Sequence, residues 1–195
     1  MSYSIPLIGL GPRARVGKDY LARQLNTLGF NVHTFSFFDQ GRRVLDPLCR
    51  QIFGKNIADL ESAEKAQFRP LMVAYGNMMR ERHGRNYFIN QTFSAIDAGH
   101  EFHAAAESSG FPDLFIITDV RFMDELFAIH QYGGIVVSIE ADVPWANETE
   151  KQNAPIVTAA SDYTLFNDLK SNRAAFELAH LIRERFFPVL QGSPK

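Results

Sequence analysis

The chain has 195 residues, enough for one domain with a substantial core. A formal net charge of -2 argues against a dedicated basic surface, so duplex nucleic acid is not an expected partner. A single cysteine, Cys49, excludes an internal disulfide and a cysteine zinc cluster, and its place among apolar neighbours predicts a buried structural thiol.

Residues 4–10 (SIPLIGL) form a short apolar run that predicts a buried first strand. Three glycines and a proline between Gly9 and Asp19 predict a loop, and the apolar spacing from Tyr20 to Leu25 predicts a helix that stops at Gly29. Residues 31–38 (NVHTFSFF) alternate and are rich in strand formers. Helices are expected from about Gln40 to Phe53, over 61–83 and over 86–106, the last two broken near His83-Gly84. Residues 114–118 (LFIIT) are the clearest buried strand, with Asp119 at its C-terminal end. A helix from about Met123 to Tyr132, a strand over 135–139, a strand over 162–166 and a terminal helix over 170–187 follow. Residues 141–160 carry two prolines and little periodicity, which predicts a mobile loop, with Trp145 as its anchor to the body. Alternating strands and helices predict a three-layer α/β fold with a mostly parallel central sheet and helices on both faces.

The loop after the first strand carries the strongest chemical signal. A phosphate-binding loop needs a strand ending in a tight turn, backbone N–H groups free to close around phosphates, and a lysine at the mouth of a helix. The segment Gly11-Pro12-Arg13-Ala14-Arg15-Val16-Gly17-Lys18-Asp19 has this layout, with Tyr20 next to it. Lys18 would neutralise β- and γ-phosphate charge. The usual pattern G-x-x-x-x-G-K-[ST] is missed twice: Pro12 stands for the first glycine, and Asp19 for the hydroxyl residue. The carboxylate of Asp19 is still a suitable hard ligand for Mg2+.

Arg13 to Asp19 resembles the latter part of the loop G-x-x-x-S-G-K-D-T of the bacteriophage deoxynucleoside monophosphate kinases, with Asp19 in register. Phe37-Phe38-Asp39 and the helix ending Ile52-Phe53-Gly54 resemble that family's F-A-D-P-L-K helix, and Arg69 to Phe88 resembles its acceptor-side helix and turn. Asp119-Val120-Arg121-Phe122, followed by Glu125 and Gly133-Gly134, resembles its D-V-R-F-x-N-E segment and glycine pair. The resemblance implies one P-loop kinase domain over 1–195, with a helical acceptor-side insertion at 55–110 and a lid at 141–160. It implies transfer of the γ-phosphoryl of ATP, with Mg2+, to a deoxynucleoside 5′-monophosphate. Lys18 and the loop residues Gly11, Arg13, Ala14, Arg15, Val16, Gly17, Asp19 and Tyr20 would hold the donor. Asp19 and Asp119 would support the metal, Arg80, Arg85 and Arg121 would hold acceptor phosphate or transition-state charge, and Asp39 would orient the acceptor.

Two further readings stay open: a P-loop kinase acting on a modified base within DNA, and a degenerate nucleotide-binding protein without turnover. The 141–160 segment supplies Lys151 but mostly acids, Asp142, Glu148 and Glu150, so lid cations would have to come from elsewhere, such as Arg13 and Arg15. No run approaches the roughly 18 apolar residues of a membrane span. The short apolar start lacks a basic flank, so the expected compartment is a cytoplasm, that of the host if the chain is phage-encoded. An exposed apolar helix face would give a homodimer its two-fold interface.

Overall fold

The computed structural model describes residues 5–105 and 110–188. In chain order its elements are β1 (Leu7–Gly11), α1 (Lys18–Thr27), β2 (Asn31–Phe35), α2 (Asp39–Phe53), a 3-10 turn (Ile57–Asp59), α3 (Ser62–His83), α4 (Tyr87–Ala105), β3 (Asp113–Ile117), α5 (Met123–Gln131), β4 (Ile135–Glu140), α6 (Glu148–Ala160), β5 (Tyr163–Phe166) and α7 (Arg173–Phe186). The expected strand start at Ser4 and helix end at Ala106 lie outside the described residues. Two compact units result: residues up to Phe35 together with those from Gly99 onward, and Ser36–Ala98.

The first unit is built on five parallel strands in the order β2-β3-β1-β4-β5. The apolar runs of the sequence supply the inner strands, because a parallel sheet covered on both faces buries every residue of its central strands. Alternation along each strand sends side chains to opposite faces. Ile8, Leu10, Leu114, Ile116, Val137 and Ile139 join Leu21 and Leu25 of α1 and Ala175, Leu178 and Ile182 of α7 in one buried cluster. On the other face, Phe115 lies 5.9 Å from the ring of His100 on α4, and Gly9 lies under Ile129 of α5. This is the three-layer α/β architecture expected from the sequence.

β1 runs down the centre, between β3 and β4. The chain leaves it toward β2 on one side and later crosses it from β3 to β4 on the other. Crevices at such reversals, beyond the carboxyl ends of the strands, are where open α/β sheets bind ligands. The register places Gly11 opposite Ser138 and Glu140 opposite Phe166, so the segments after β1, β4 and β5 emerge along one edge.

Two glycines are set by close approach. A Cβ on Gly134 would stand 2.8 Å from the Leu7 carbonyl oxygen, and one on Gly11 only 2.3 Å from that of Val120. The first oxygen cannot move without β1, nor the second without the turn after β3 that Val120 bonds to Leu10. Gly11→Ala is therefore expected to cost about 3 kcal/mol, read as a fall of roughly 6–12 °C in melting temperature.

The second unit packs α2 and α3 around Leu45, Cys49, Ile57, Leu60 and Phe68. Cys49 is fully buried, as its neighbours predict. Phe38 meets Phe88 at 5.3 Å and Tyr75 at 6.5 Å, so these rings belong to a packed aromatic cluster.

The 141–160 segment differs from the irregular loop expected. Only its first part lacks regular structure; Glu148–Ala160 is α6. The Asn147 side chain caps the helix by accepting the Glu150 amide at 2.8 Å. Pro155 removes one backbone donor. Burial of Ala154 and Val157 against the unit outweighs that loss, which proline content alone does not reveal.

Candidate phosphate-binding loop

The loop between β1 and α1 has the backbone of an anion cradle. Gly17 sits at the N-terminus of α1 with φ of 81° and ψ of 21°, in the left-handed region where glycine carries no Cβ penalty. A Cβ there would also approach Asn167 Nδ2 to 2.7 Å. No side chain caps α1, so its first amides face the loop with the positive end of the helix dipole behind them. Arg15 is exposed and also adopts a positive φ, 63°.

The loop's departures from the usual pattern have local structural accounts. Val16, where the resembled family has serine, is fully buried in the core shared by α1 and α7. Asn167, just after β5, donates through Nδ2 to the Val16 carbonyl at 2.9 Å. Its own amide donates to the Glu140 carbonyl at 2.8 Å. The Tyr20 hydroxyl donates to Asn172 Oδ1 at 2.5 Å, which ties it to the start of α7. Pro12 is buried and follows a cis peptide bond.

Arg13 is not a free lid cation. It is 8% exposed, and its guanidinium donates to Glu140 Oε2 at 3.1 Å, to the Ala141 carbonyl at 2.9 Å and to the Val143 carbonyl. It also lies 4.2 Å over the ring of Trp145. These contacts pin the 140–145 segment to the loop. Trp145 is the anchor the sequence suggests, and Arg13 is what it anchors to. Of the two loop arginines, only Arg15 reaches solvent.

Lys18 Nζ donates to the Arg13 carbonyl. Burial, and then the neighbouring Arg121 guanidinium, lower its pKa from 10.5 to about 8, against the pull of Asp119, Asp19 and Glu150. The structure therefore gathers Lys18, Asp19, Asp119 and Arg121 into one electrostatic neighbourhood. Asp119 follows β3, and Val120 donates to the Leu10 carbonyl at 3.2 Å, which locks the Asp119–Arg121 turn against β1.

Two acids that the sequence did not assign to the site complete it. Glu150, in the first turn of α6, accepts the Ala14 amide on Oε1 and the Ala146 amide on Oε2. Glu125 is 6% exposed and accepts the Arg121 and Phe122 amides on Oε2 at 2.6 and 3.1 Å. Burial first, then the Asp119 carboxylate, push its pKa up to about 8, against those two amide bonds.

The other predicted residues belong to the second unit. Asp39 accepts the Ser36 amide at 2.7 Å and the Arg42 guanidinium at 2.7 Å, which closes the turn into α2. The Arg80 guanidinium lies 5.2 Å over the ring of Phe88. Arg85 is exposed, in the break between α3 and α4.

No protein-family model matches this sequence, and no curated protein matches it. Among solved structures, the chain is similar to a shikimate kinase from Aquifex aeolicus vf5, at 13% identity and a TM-score of 0.46, over 95% of this chain and 99% of that one. It is also similar to a shikimate kinase from Acinetobacter baumannii in complex with shikimate, at 15% identity and a TM-score of 0.37, over 99% and 97% of the two chains. Among the described residues, no helix is long and apolar enough to cross a membrane.

Proposed function

We propose that this chain is an ATP-dependent P-loop kinase that transfers a phosphoryl group to a deoxynucleoside 5′-monophosphate, giving the diphosphate. One observation carries the donor half: a partly buried lysine at the uncapped N-terminus of α1, in a loop whose Ala14 amide already donates to an anionic oxygen. A cation with a lowered pKa at a helix N-terminus is stabilised by phosphate. The acceptor half rests on the segment resemblances, chiefly Asp119-Val120-Arg121-Phe122.

Phosphoryl transfer requires alignment and charge stabilisation more than covalent work by the protein. Lys18 and the amides of residues 13–19 would hold the donor phosphates. Magnesium is ordinarily bound by one or two carboxylates together with substrate phosphates, and Asp19 and Asp119, both close enough to act on Lys18, fit that role. Bound there, it would neutralise phosphate charge. Arg121, positioned by the turn that Glu125 holds, would meet the transferring group. The acceptor roles of Asp39, Arg80 and Arg85 belong to the same proposal, as does a homodimer.

A second reading, nucleotide binding without turnover, is favoured by the Glu150 carboxylate on the loop and by the commitment of Arg13 to Glu140. Incubation with labelled ATP, Mg2+ and, in separate arms, each deoxynucleoside monophosphate or DNA separates the readings. Diphosphate product is the expected result. Label appearing only in DNA would move the acceptor to a polynucleotide, and binding without any transfer would leave the second reading.

A further inference from the structure

Glu150 reaches from the first turn of α6 into the loop between β1 and α1. Its Oε1 accepts the Ala14 amide, its Oε2 accepts the Ala146 amide at 2.5 Å, and its charge acts on Lys18. The segment that delivers it is held from two ends. Arg13 grips Glu140, Ala141, Val143 and Trp145 upstream, and the Asn147 cap fixes the first turn of α6. Carboxylate and phosphoryl oxygens are both anionic acceptors for loop amides. One N–H cannot serve both fully, and two anions beside a single ammonium repel.

We infer that Glu150 is a built-in phosphate mimic: it competes with the donor triphosphate for the Ala14 amide and the Lys18 ammonium, and is displaced when the triphosphate binds. The inference rests on the P-loop reading above and names what regulates that site. Displacement frees the Ala146 amide, while the Arg13 contacts to 140–145 stay in place and act as the hinge. Residues 146–150 thus report on loop occupancy, and the strength of the Glu150 contact sets the nucleotide concentration at which the loop fills.

The test uses the full chain, inorganic tripolyphosphate and MgATP, with binding measured by calorimetry for the wild type, Glu150→Gln and Lys18→Met. The glutamine variant removes the charge and one of the two acceptor oxygens, while the Asn147 cap holds the start of α6. It is expected to bind tripolyphosphate about tenfold tighter than the wild type or better. Amide hydrogen exchange on the wild type gives the second readout. Adding MgATP should speed exchange at Ala146 while Ala14 stays protected, because Ala14 changes partner and Ala146 loses its own.

Unchanged or weaker binding by Glu150→Gln, or Ala146 protection that holds or rises with MgATP, overturns the inference. If the wild type binds through Lys18 and only these signs fail, the inference alone falls. If no variant binds and Lys18→Met makes no difference, the P-loop reading falls with it.

Discussion

Lys18→Met is expected to remove nucleotide binding and transfer while making the protein more stable at neutral pH. The two effects share one cause. The ammonium is largely buried, beside Arg121, and its pKa drops from 10.5 to about 8. Below pH 8 both the folded and unfolded chains carry the proton, and the folded chain bears the full cost of burying it, about 3 kcal/mol as an upper figure. Between 8 and 10.5 the folded lysine is neutral while the unfolded one is still charged, so stability rises with pH across that window. Methionine avoids the cost at every pH. Its advantage should be full below pH 8 and gone above 10.5, read by urea unfolding across the range. Transfer should fall about 10²–10³-fold or more, as when a preorganised group facing developing charge is deleted. Triphosphate affinity of the wild type should weaken as pH rises through 8, because binding then requires uptake of the proton. Full transfer by Lys18→Met would remove the loop from the mechanism.

Much of this was legible in the sequence, and what was missed has common physical roots. The strand LFIIT and the Gly17-Lys18 pair are local signals: continuous burial leaves an apolar run, and a positive φ leaves a glycine. They placed β3 and the loop to within a residue or two. Arg13 shows the limit. A basic residue in a phosphate loop reads as a ligand for the donor, whereas its guanidinium is taken by Glu140, 127 positions away in the chain. Glu150 shows it again, since its partner Ala14 lies 136 positions distant. Val16 and Tyr20 look like defects beside the pattern of the resembled family. In the fold, one fills the core and the other tethers α7. Such tertiary pairings leave no periodicity or spacing to read. The 141–160 segment reads as a loop for a related reason: its two prolines are local signals, whereas the burial of Ala154 and Val157 depends on partners distant in sequence.

Glu125 carries the second large effect, and its pH window adjoins that of Lys18. Its carboxyl is buried beneath the Asp119–Arg121 turn, with a pKa raised from 4.5 to about 8. Below pH 4.5 both the folded and unfolded chains hold the proton. Between 4.5 and 8 the folded chain keeps it and the unfolded chain does not, so stability falls as pH rises, by about 5 kcal/mol at most. Above 8 the buried charge is fully expressed. Glu125→Gln keeps an oxygen for the Arg121 and Phe122 amides and cannot ionise. It should match the wild type below pH 4.5 and exceed it above 8. Glu125→Ala instead strands both amides, at about 1–3 kcal/mol, and releases the turn that aims Arg121, so its transfer rate should fall where that of the glutamine variant does not. Against a double variant lacking both titrations, Lys18→Met with Glu125→Gln, the wild type should lose stability from pH 4.5 to 8 and regain it from 8 to 10.5. A relative minimum near pH 8 is thus the joint signature of a buried acid and a buried base held at one sheet edge. A flat difference between the two proteins across that range would show that neither group is buried in solution as the structure has it.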